Sequence, residues 1–409
     1  MSSVRALNPA ERLLLAIVPV VFMATEAVSH VLPGVVPPHR ALSPYFNNLF
    51  FTLAAALIAL SVARRRDLGP ILALGVLFEG VRLAAAAAVQ VPLAGSLSAT
   101  GLGVWTAALV LQAWHVACSR GDSRRDALDL LLTQFALPVG IALTFFGGSV
   151  VRMFVPDTVD PALYAFDGLL PLPMAATVAS FARAHPSVED ALALGYHALF
   201  GTFAVIVALE SRAGDHAGKF VSRILLIGLA GFLLYFIAPG VGPHVAIYHR
   251  FGLPLPDPMT IDIVPFAAPI DAPRNAMPSL HTTYALVMLI AALPFGRGWQ
   301  VAAGLFAMVT VLATLGLREH YVVDLVVAVP LALATTWFMS AFDRGVATRR
   351  YLGRATLSLA IVLAWLLLMR LGVGTLRAVP WMASVLVLAT LAAAAAIGIP
   401  PARRQAKPA

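Results

Sequence analysis

The sequence predicts an all-α fold: a polytopic helical membrane protein of about 12 transmembrane helices, built around a six-helix core. Three observations carry this. Of 409 residues 60% are hydrophobic and only 12% are charged, with a mean hydropathy of +0.87, values that no soluble globular class shows. The apolar residues fall into separate runs of about 20, the length of one bilayer crossing. The Lys and Arg residues collect in the short segments between those runs, as expected of residues that orient spans.

The apolar runs lie near 12–32, 46–63, 70–92, 97–117, 128–152, 191–209, 221–239, 279–295, 299–316, 321–340, 355–371 and 379–398. The first is too long for the apolar part of a cleavable leader and reads as a retained anchor. A weaker run at 163–182 is broken by Asp167, Gly168, Pro171 and Pro173. Basic groups follow the second and fourth runs (Arg64–Arg66; Arg120, Arg124 and Arg125). Others lie between 209 and 221 (Arg212, Lys219), in the tight turn at 295–299 (Arg297), after 340 (Arg344, Arg349, Arg350, Arg354) and at the end (Arg403, Arg404, Lys407). All fall on one side only if 163–182 does not cross. Basic loops mark the cytoplasm. The expected topology therefore has twelve spans, both termini cytoplasmic, and a re-entrant or surface segment near 165–182. Arg377 is the exception, since it falls outside. Three parts are expected: an N-terminal accessory bundle (1–120), a catalytic core (121–345), and a C-terminal transmembrane hairpin with a basic tail (346–409).

The net charge of +8 does not point to nucleic acid, because no basic stripe is interleaved with aromatics. Cys118 is the sole cysteine, which excludes an intrachain disulfide and argues against a thiolate metal site. No metal and no cofactor is expected.

The chemistry is concentrated between Arg274 and Asp324. The chain reads R-N-A-M-P-S-L-H at Arg274–His281, then two apolar runs, then L-R-E-H-Y-V-V-D at Leu317–Asp324. His281 and His320 are 39 residues apart, close to two crossings of about 20 residues each, so a helical hairpin returns both to one membrane face. His320 and Asp324, four residues apart at a helix start, share a face. A carboxylate so placed can accept the proton of one imidazole nitrogen and leave the other as a nucleophile. His281, from a different helix end, can protonate a leaving oxygen and then deprotonate an acceptor hydroxyl. Arg318 and Arg274 are forked donors suited to phosphate oxygens, and Ser279 opens the 279–295 helix, where further donors converge. Glu79 and Arg82, three residues apart, read as a neutralising pair or as substrate contacts. Asp167 reads either as a cavity-lining carboxylate or as a turn former. Trp105, Trp114, Trp299 and Trp381 fit an interfacial belt.

P-S-L-H at Pro278–His281 and H-Y-V-V-D at His320–Asp324 resemble the second and third signature motifs of the type 2 phosphatidic acid phosphatase superfamily. Within it, P-S-L-H together with Y-F-I-A-P-G-V-G-P at Tyr235–Pro243 is most similar to the inositol phosphorylceramide synthase-like (inositolphosphotransferase) branch. The resemblance covers roughly 190–340. It implies that His320 is the nucleophile that forms a phosphohistidine, Asp324 its orienting partner and His281 the general acid, with no metal. It implies a lipid phosphotransferase that moves an inositol-phosphate-like headgroup from a phospholipid donor to a lipid or other hydroxyl acceptor. Two departures stand out. The phosphatase first motif, a Lys six residues ahead of Arg-Pro, is absent, and the phosphatase Arg six residues before the nucleophile would fall at Thr314. Phosphate contacts are then expected from Arg318 and Arg274, with Arg250 and His244 as further candidates. The site is expected on the extracytoplasmic face of the cell membrane. A lipid phosphatase with water as acceptor uses the same residues. A twelve-span transporter is the rival of another class, against which the lack of an internal repeat argues.

Overall fold

A computed structural model describes residues 7–31, 49–90, 97, 99–213, 218–252, 254–269, 272–344 and 348–401; the expected basic tail at Arg403, Arg404 and Lys407 lies outside them. The described chain is mostly helical. Among the described residues, five helices are long and apolar enough to cross a membrane: Arg65–Ala88, Gly218–Tyr235, Arg297–Gly316, Val322–Phe342 and Arg349–Leu371. A sixth span arises if Pro186–His197 and Leu199–Arg212 form one broken crossing, and Leu49–Val62, Leu102–Cys118, Leu280–Phe295 and Trp381–Ile397 are shorter apolar helices.

The chain divides into two compact units, Met1–Phe146 with Ala198–Leu226, and Gly147–His197 with Ile227–Ala409. This differs from the three-part division read from the sequence. Residues 121–146 and 198–226, expected in the core, fall in the unit of the N-terminal bundle, and the last helices fall in the unit of the core.

In the first unit, helix Leu68–Ala88 packs on Leu102–Cys118, and Leu49–Val62 packs on both Leu102–Cys118 and Leu199–Arg212. Small residues allow the close approach. A Cβ at Gly75 would come within 2.9 Å of Val104, and one at Gly103 within 2.6 Å of the Gly75 carbonyl. In lipid, such backbone proximity and interhelical hydrogen bonds replace the hydrophobic effect as the source of helix association. Glu79 supplies one such bond: it pairs with Arg82 at 2.6 Å and also accepts the Gly103 N–H at 3.0 Å. Trp105 corrects the interfacial expectation. It is buried, and its indole N–H donates to the Gln134 carbonyl at 2.9 Å. Trp114, Trp299 and Trp381 are exposed.

In the second unit, Val322–Arg344 is the central helix. Leu280–Ala292 and Thr348–Leu371 pack directly against it, with Trp381–Ile397 at its end, and Arg297–Gly316 packs on Leu280–Ala292. Trp337, Tyr351, Ala355, Ala394 and Ile397 form the buried cluster that joins the last two helices to the central one, and the Trp337 indole N–H donates to the Gly398 carbonyl at 2.8 Å. The weak run resolves into two short helices, Asp160–Gly168 of 9 residues and Met174–Ala184 of 11. At about 1.5 Å per residue neither reaches across a ~30 Å hydrocarbon core. Asp157–Thr158 pairs antiparallel with Phe266–Ala267 in a two-stranded ladder that fixes the loop ahead of the second motif.

Candidate active site

His320 is delivered by a sharp exit from helix Arg297–Gly316. Arg318 adopts a left-handed φ of +64°, and the Glu319 and His320 amides both donate to the Thr314 carbonyl, at 3.0 and 3.2 Å. Thr314, where a phosphatase arginine was looked for, is buried and serves this turn. The turn leaves His320 only 4% exposed, with Nδ1 at 2.8 Å from the Ala276 carbonyl. A carbonyl only accepts, so Nδ1 carries the proton and the Nε2 lone pair is left for chemistry. Asp324 lies beside this bond, Oδ2 being 3.4 Å from Nδ1. Its shorter partner is the Tyr321 amide at 2.8 Å, and Oδ1 is buried without a hydrogen bond. The tautomer expected to be set by Asp324 is thus set by the Ala276 carbonyl, with the carboxylate one step away as a nearby charge. Burial lowers the His320 pKa to about 4, against smaller upward pulls from Glu319 and the Ala276 carbonyl.

The second motif meets the third through the backbone, the Ser279 amide donating to the Asp324 carbonyl at 3.2 Å. Ser279 caps helix Leu280–Ala292. Its buried hydroxyl accepts the Thr282 N–H at 3.3 Å and donates to the Thr282 hydroxyl at 3.1 Å, so its polar capacity is largely spent within the cap. Two residues on, His281 projects from the first helical turn. Its ring centroid is 6.3 Å from that of His320, about two hydrogen-bond lengths, the spacing at which two imidazoles can address one phosphoryl group from opposite sides. Tyr196 stacks on His281 with centroids 3.9 Å apart and planes at 19°. Nothing in the sequence singles out Tyr196.

The arginines separate. Arg318 is half-buried and pairs with Glu189 at 2.7 Å. Arg274 corrects the phosphate-binding expectation. It is 2% exposed, and its terminal nitrogens donate to the carbonyls of Pro269, Ala272, Pro156 and Ala268 at 2.7–3.1 Å. A guanidinium so engaged is a staple for the loop preceding the motif. Arg250 lies over the Phe266 ring at 3.9 Å.

Two openings flank the site. One, of ≈ 570 Å³, is apolar in character. It is walled by Met174, Ala175, Ala176, Ala179, Leu255 and Pro258, with Tyr164, Asp167, Tyr248, Arg318 and His320 on its polar side. The other is an open polar cleft of ≈ 580 Å³ lined by Tyr196, His197, His244, Arg318 and Glu319. Arg318 belongs to both.

Two acids hold this arrangement. Asp167 accepts the Val322 and Val323 amides at 2.8 and 3.3 Å, and so caps the helix that carries Asp324 while also lining the apolar cavity. Asp167 thus lines the cavity, and its side chain bonds a distant helix start and not its own turn. Burial pushes its carboxyl up to about 8, opposed by the two amides and reinforced by Asp324. Asp160, which sequence reasoning passed over, is fully buried. It accepts the amides of Val241 and Gly242 and the Tyr321 hydroxyl, each at 2.9 Å. Those bonds fix the A-P-G-V-G-P loop, whose Gly240 carbonyl accepts the Ala276 amide at 2.9 Å. Gly242, at φ +86°, lies against the Glu319 carbonyl with no room for a Cβ; only glycine fits there. Among the described residues, no group of three or more His, Cys, Asp or Glu side chains is placed to hold a metal ion.

Residues 161–338 match the PAP2 superfamily family model. The match takes in the S-L-H and H-Y-V-V-D motifs, the apolar cavity and the polar cleft. It supports the type 2 phosphatidic acid phosphatase resemblance over that segment and a phosphatase or phosphotransferase type of lipid enzyme, and it does not single out the inositol phosphorylceramide synthase-like branch. No curated protein and no solved structure matches the chain.

Proposed function

We propose that this protein is a membrane-embedded lipid phosphotransferase that moves a phosphoryl headgroup from a phospholipid donor to a hydroxyl acceptor through a phosphohistidine on His320. The observation that carries the reading is the state of His320 itself. Nδ1 is committed to a backbone carbonyl, Nε2 is left as a nucleophile at the wall of an apolar cavity, and a second histidine stands 6.3 Å away.

In the first step Nε2 attacks phosphorus, the bond from phosphorus to the leaving alcohol oxygen breaks, and His281 gives that oxygen its proton. In the second, His281 takes the proton of the acceptor hydroxyl, the acceptor oxygen bonds to phosphorus, and the N–P bond breaks. Arg318 supplies positive charge to the phosphoryl oxygens, and the apolar cavity holds the acyl chains. Positioning of this kind is most of what phosphoryl transfer requires. P-S-L-H and the absent first phosphatase motif support transfer over hydrolysis. The basic loops support an extracytoplasmic site.

The test is trapping of ³²P from a labelled phospholipid on the purified protein. The expected result is an acid-labile, alkali-stable label that His320→Ala abolishes, with phosphorylated acceptor as the product when a lipid alcohol is supplied. Release of free phosphate regardless of acceptor would make the protein a phosphatase. A protein that never becomes labelled, or a His320→Ala variant that keeps more than about a tenth of turnover, would remove the covalent mechanism.

A further inference from the structure

Arg377 is the basic residue that breaks the charge pattern of the loops, and it lies beyond the region matched by the PAP2 superfamily. Its place in the fold gives it a task. It follows the short helix Val373–Leu376, and its Nη2 donates to the carbonyls of Pro258, at 3.0 Å, and Ile261. Those carbonyls belong to a turn closed on Asp257, whose backbone carbonyl accepts the amides of Thr260 and Ile261 and whose side chain accepts the Met259 amide. Pro258 is part of the apolar cavity wall. The same turn is held from the cavity side by Tyr164, whose hydroxyl donates to the Pro256 carbonyl at 2.8 Å. Gly168 lies so close beneath Pro258 that any Cβ would overlap its ring.

The surrounding contacts tie the C-terminal helices to the same wall. Trp365 packs edge-on against Phe166 with centroids 5.3 Å apart, and Phe166 lies on the helix that carries Tyr164 and Asp167. Arg370 donates to the carbonyls of Phe236 and Ile237, at 3.3 and 2.7 Å, at the entry to the loop fixed by Asp160. Two arginines of the appended segment thus spend their donors on carbonyls of two loops of the site. A cation that donates to two carbonyls of a tight turn holds it more firmly than neutral partners do.

We infer that Arg377 is a positioning residue that clamps the 256–261 turn as one wall of the apolar cavity, so that the C-terminal helices set the width of the site for the lipid chains. The inference rests on the proposed function for its substrate, a phosphate-bearing lipid, and on geometry alone for the clamp. It accounts for a basic residue standing against the charge pattern: its partners are carbonyls on that side.

The test uses the full chain in phosphatidylcholine nanodiscs, with radiolabelled hexadecylphosphonate as a binding probe that does not turn over. Arg377→Met keeps length without donors, Arg377→Lys restores one, and the exposed Arg350→Met is the control. Expected for Arg377→Met are faster amide exchange in 257–262 and about tenfold weaker phosphonate binding, the scale of two lost charged hydrogen bonds offset by partial relaxation. KM should rise about tenfold while kcat falls less than threefold. Arg377→Lys should recover part of each, and Arg350→Met should resemble the parent. Faster exchange with unaltered binding and KM would overturn the inference, as would a fall in kcat alone. If Arg377→Met does not fold, Tyr164→Phe removes the opposite tether and must shift binding in the same direction, or the inference fails. The expected binding and exchange shifts in a protein that is never labelled on His320 would refute the proposed function and leave the clamp standing.

Discussion

The pH dependence of the first chemical step is the sharpest consequence of the site. On the proposed mechanism His320 attacks only as the neutral imidazole. A solvated histidine, of pKa about 6.5, is about 3% neutral at pH 5. Burial lowers His320 to about 4, which leaves about nine-tenths of it neutral at that pH, a difference of about 30-fold in competent enzyme. The assay is the initial rate of ³²P incorporation from a phospholipid donor between pH 3.5 and 8, read as kcat/KM so that it reports free enzyme. The acid limb should fall near pH 4. Glu319→Gln should move it lower still, because Glu319 is the larger of the two influences that raise the His320 pKa. The same shift links to stability. The folded pKa lies below the unfolded one, so His320 costs nothing above about pH 6.5. Between about 6.5 and about 4 the unfolded chain takes up a proton that the folded chain refuses, and stability falls by about 3 kcal/mol over that window. His320→Gln should flatten this part of the stability profile. An acid limb near pH 6.5 that Glu319→Gln does not move would mean that His320 is solvated in the working enzyme, and the argument from its burial would fail.

Three further expectations follow from the same geometry. Arg274→Met leaves four carbonyls without their donor and should lower the thermal midpoint by the equivalent of about 3 kcal/mol or more; a raised KM with an unchanged midpoint would return Arg274 to the phosphate. Activity should survive EDTA, because charge is met by arginine, histidine and backbone donors and the described residues offer no cation cage; loss on chelation, restored by one divalent ion, would overturn this. Sidedness can be read with single cysteines in a Cys118→Ser background, at the exposed positions Val264 and Arg350. An impermeant maleimide on intact cells, with any outer membrane permeabilised, should label 264 and spare 350. The reverse would put the site on the cytoplasmic face, and labelling of both would break the span count.

The residues proposed to react were legible because each is written into a short contiguous pattern. P-S-L-H and H-Y-V-V-D stand one hairpin apart, and a helical hairpin of that length has few ways to place its ends. What supports them was not legible, because it acts over long separations in sequence. Asp160 reaches Tyr321, Val241 and Gly242, and no local periodicity announces a buried carboxylate that joins three segments. Residue type misled where burial decides the role. Arg274 has the fork that suits a phosphate, yet sits among carbonyls, and Trp105 has the ring that suits an interface, yet points into its bundle. Asp324 shows the limit of spacing arguments most clearly. A spacing of four residues predicts it beside His320, and it is there, at 3.4 Å, although His320 precedes the helix that begins at Val322. The closer acceptor is the main-chain carbonyl of Ala276, whose own amide donates to Gly240, next to the segment that Asp160 holds. Orientation of the proposed nucleophile therefore rests on the backbone, and on the proposed mechanism the Asp324 charge is left to act on the imidazolium that forms when Nε2 bonds to phosphorus. Asp324→Asn should then slow the phosphorylation of His320 without changing its tautomer. ¹⁵N NMR of labelled histidine separates the two: an Nε2–H tautomer in the Asn variant would show that the carboxylate, and not Ala276, holds the ring.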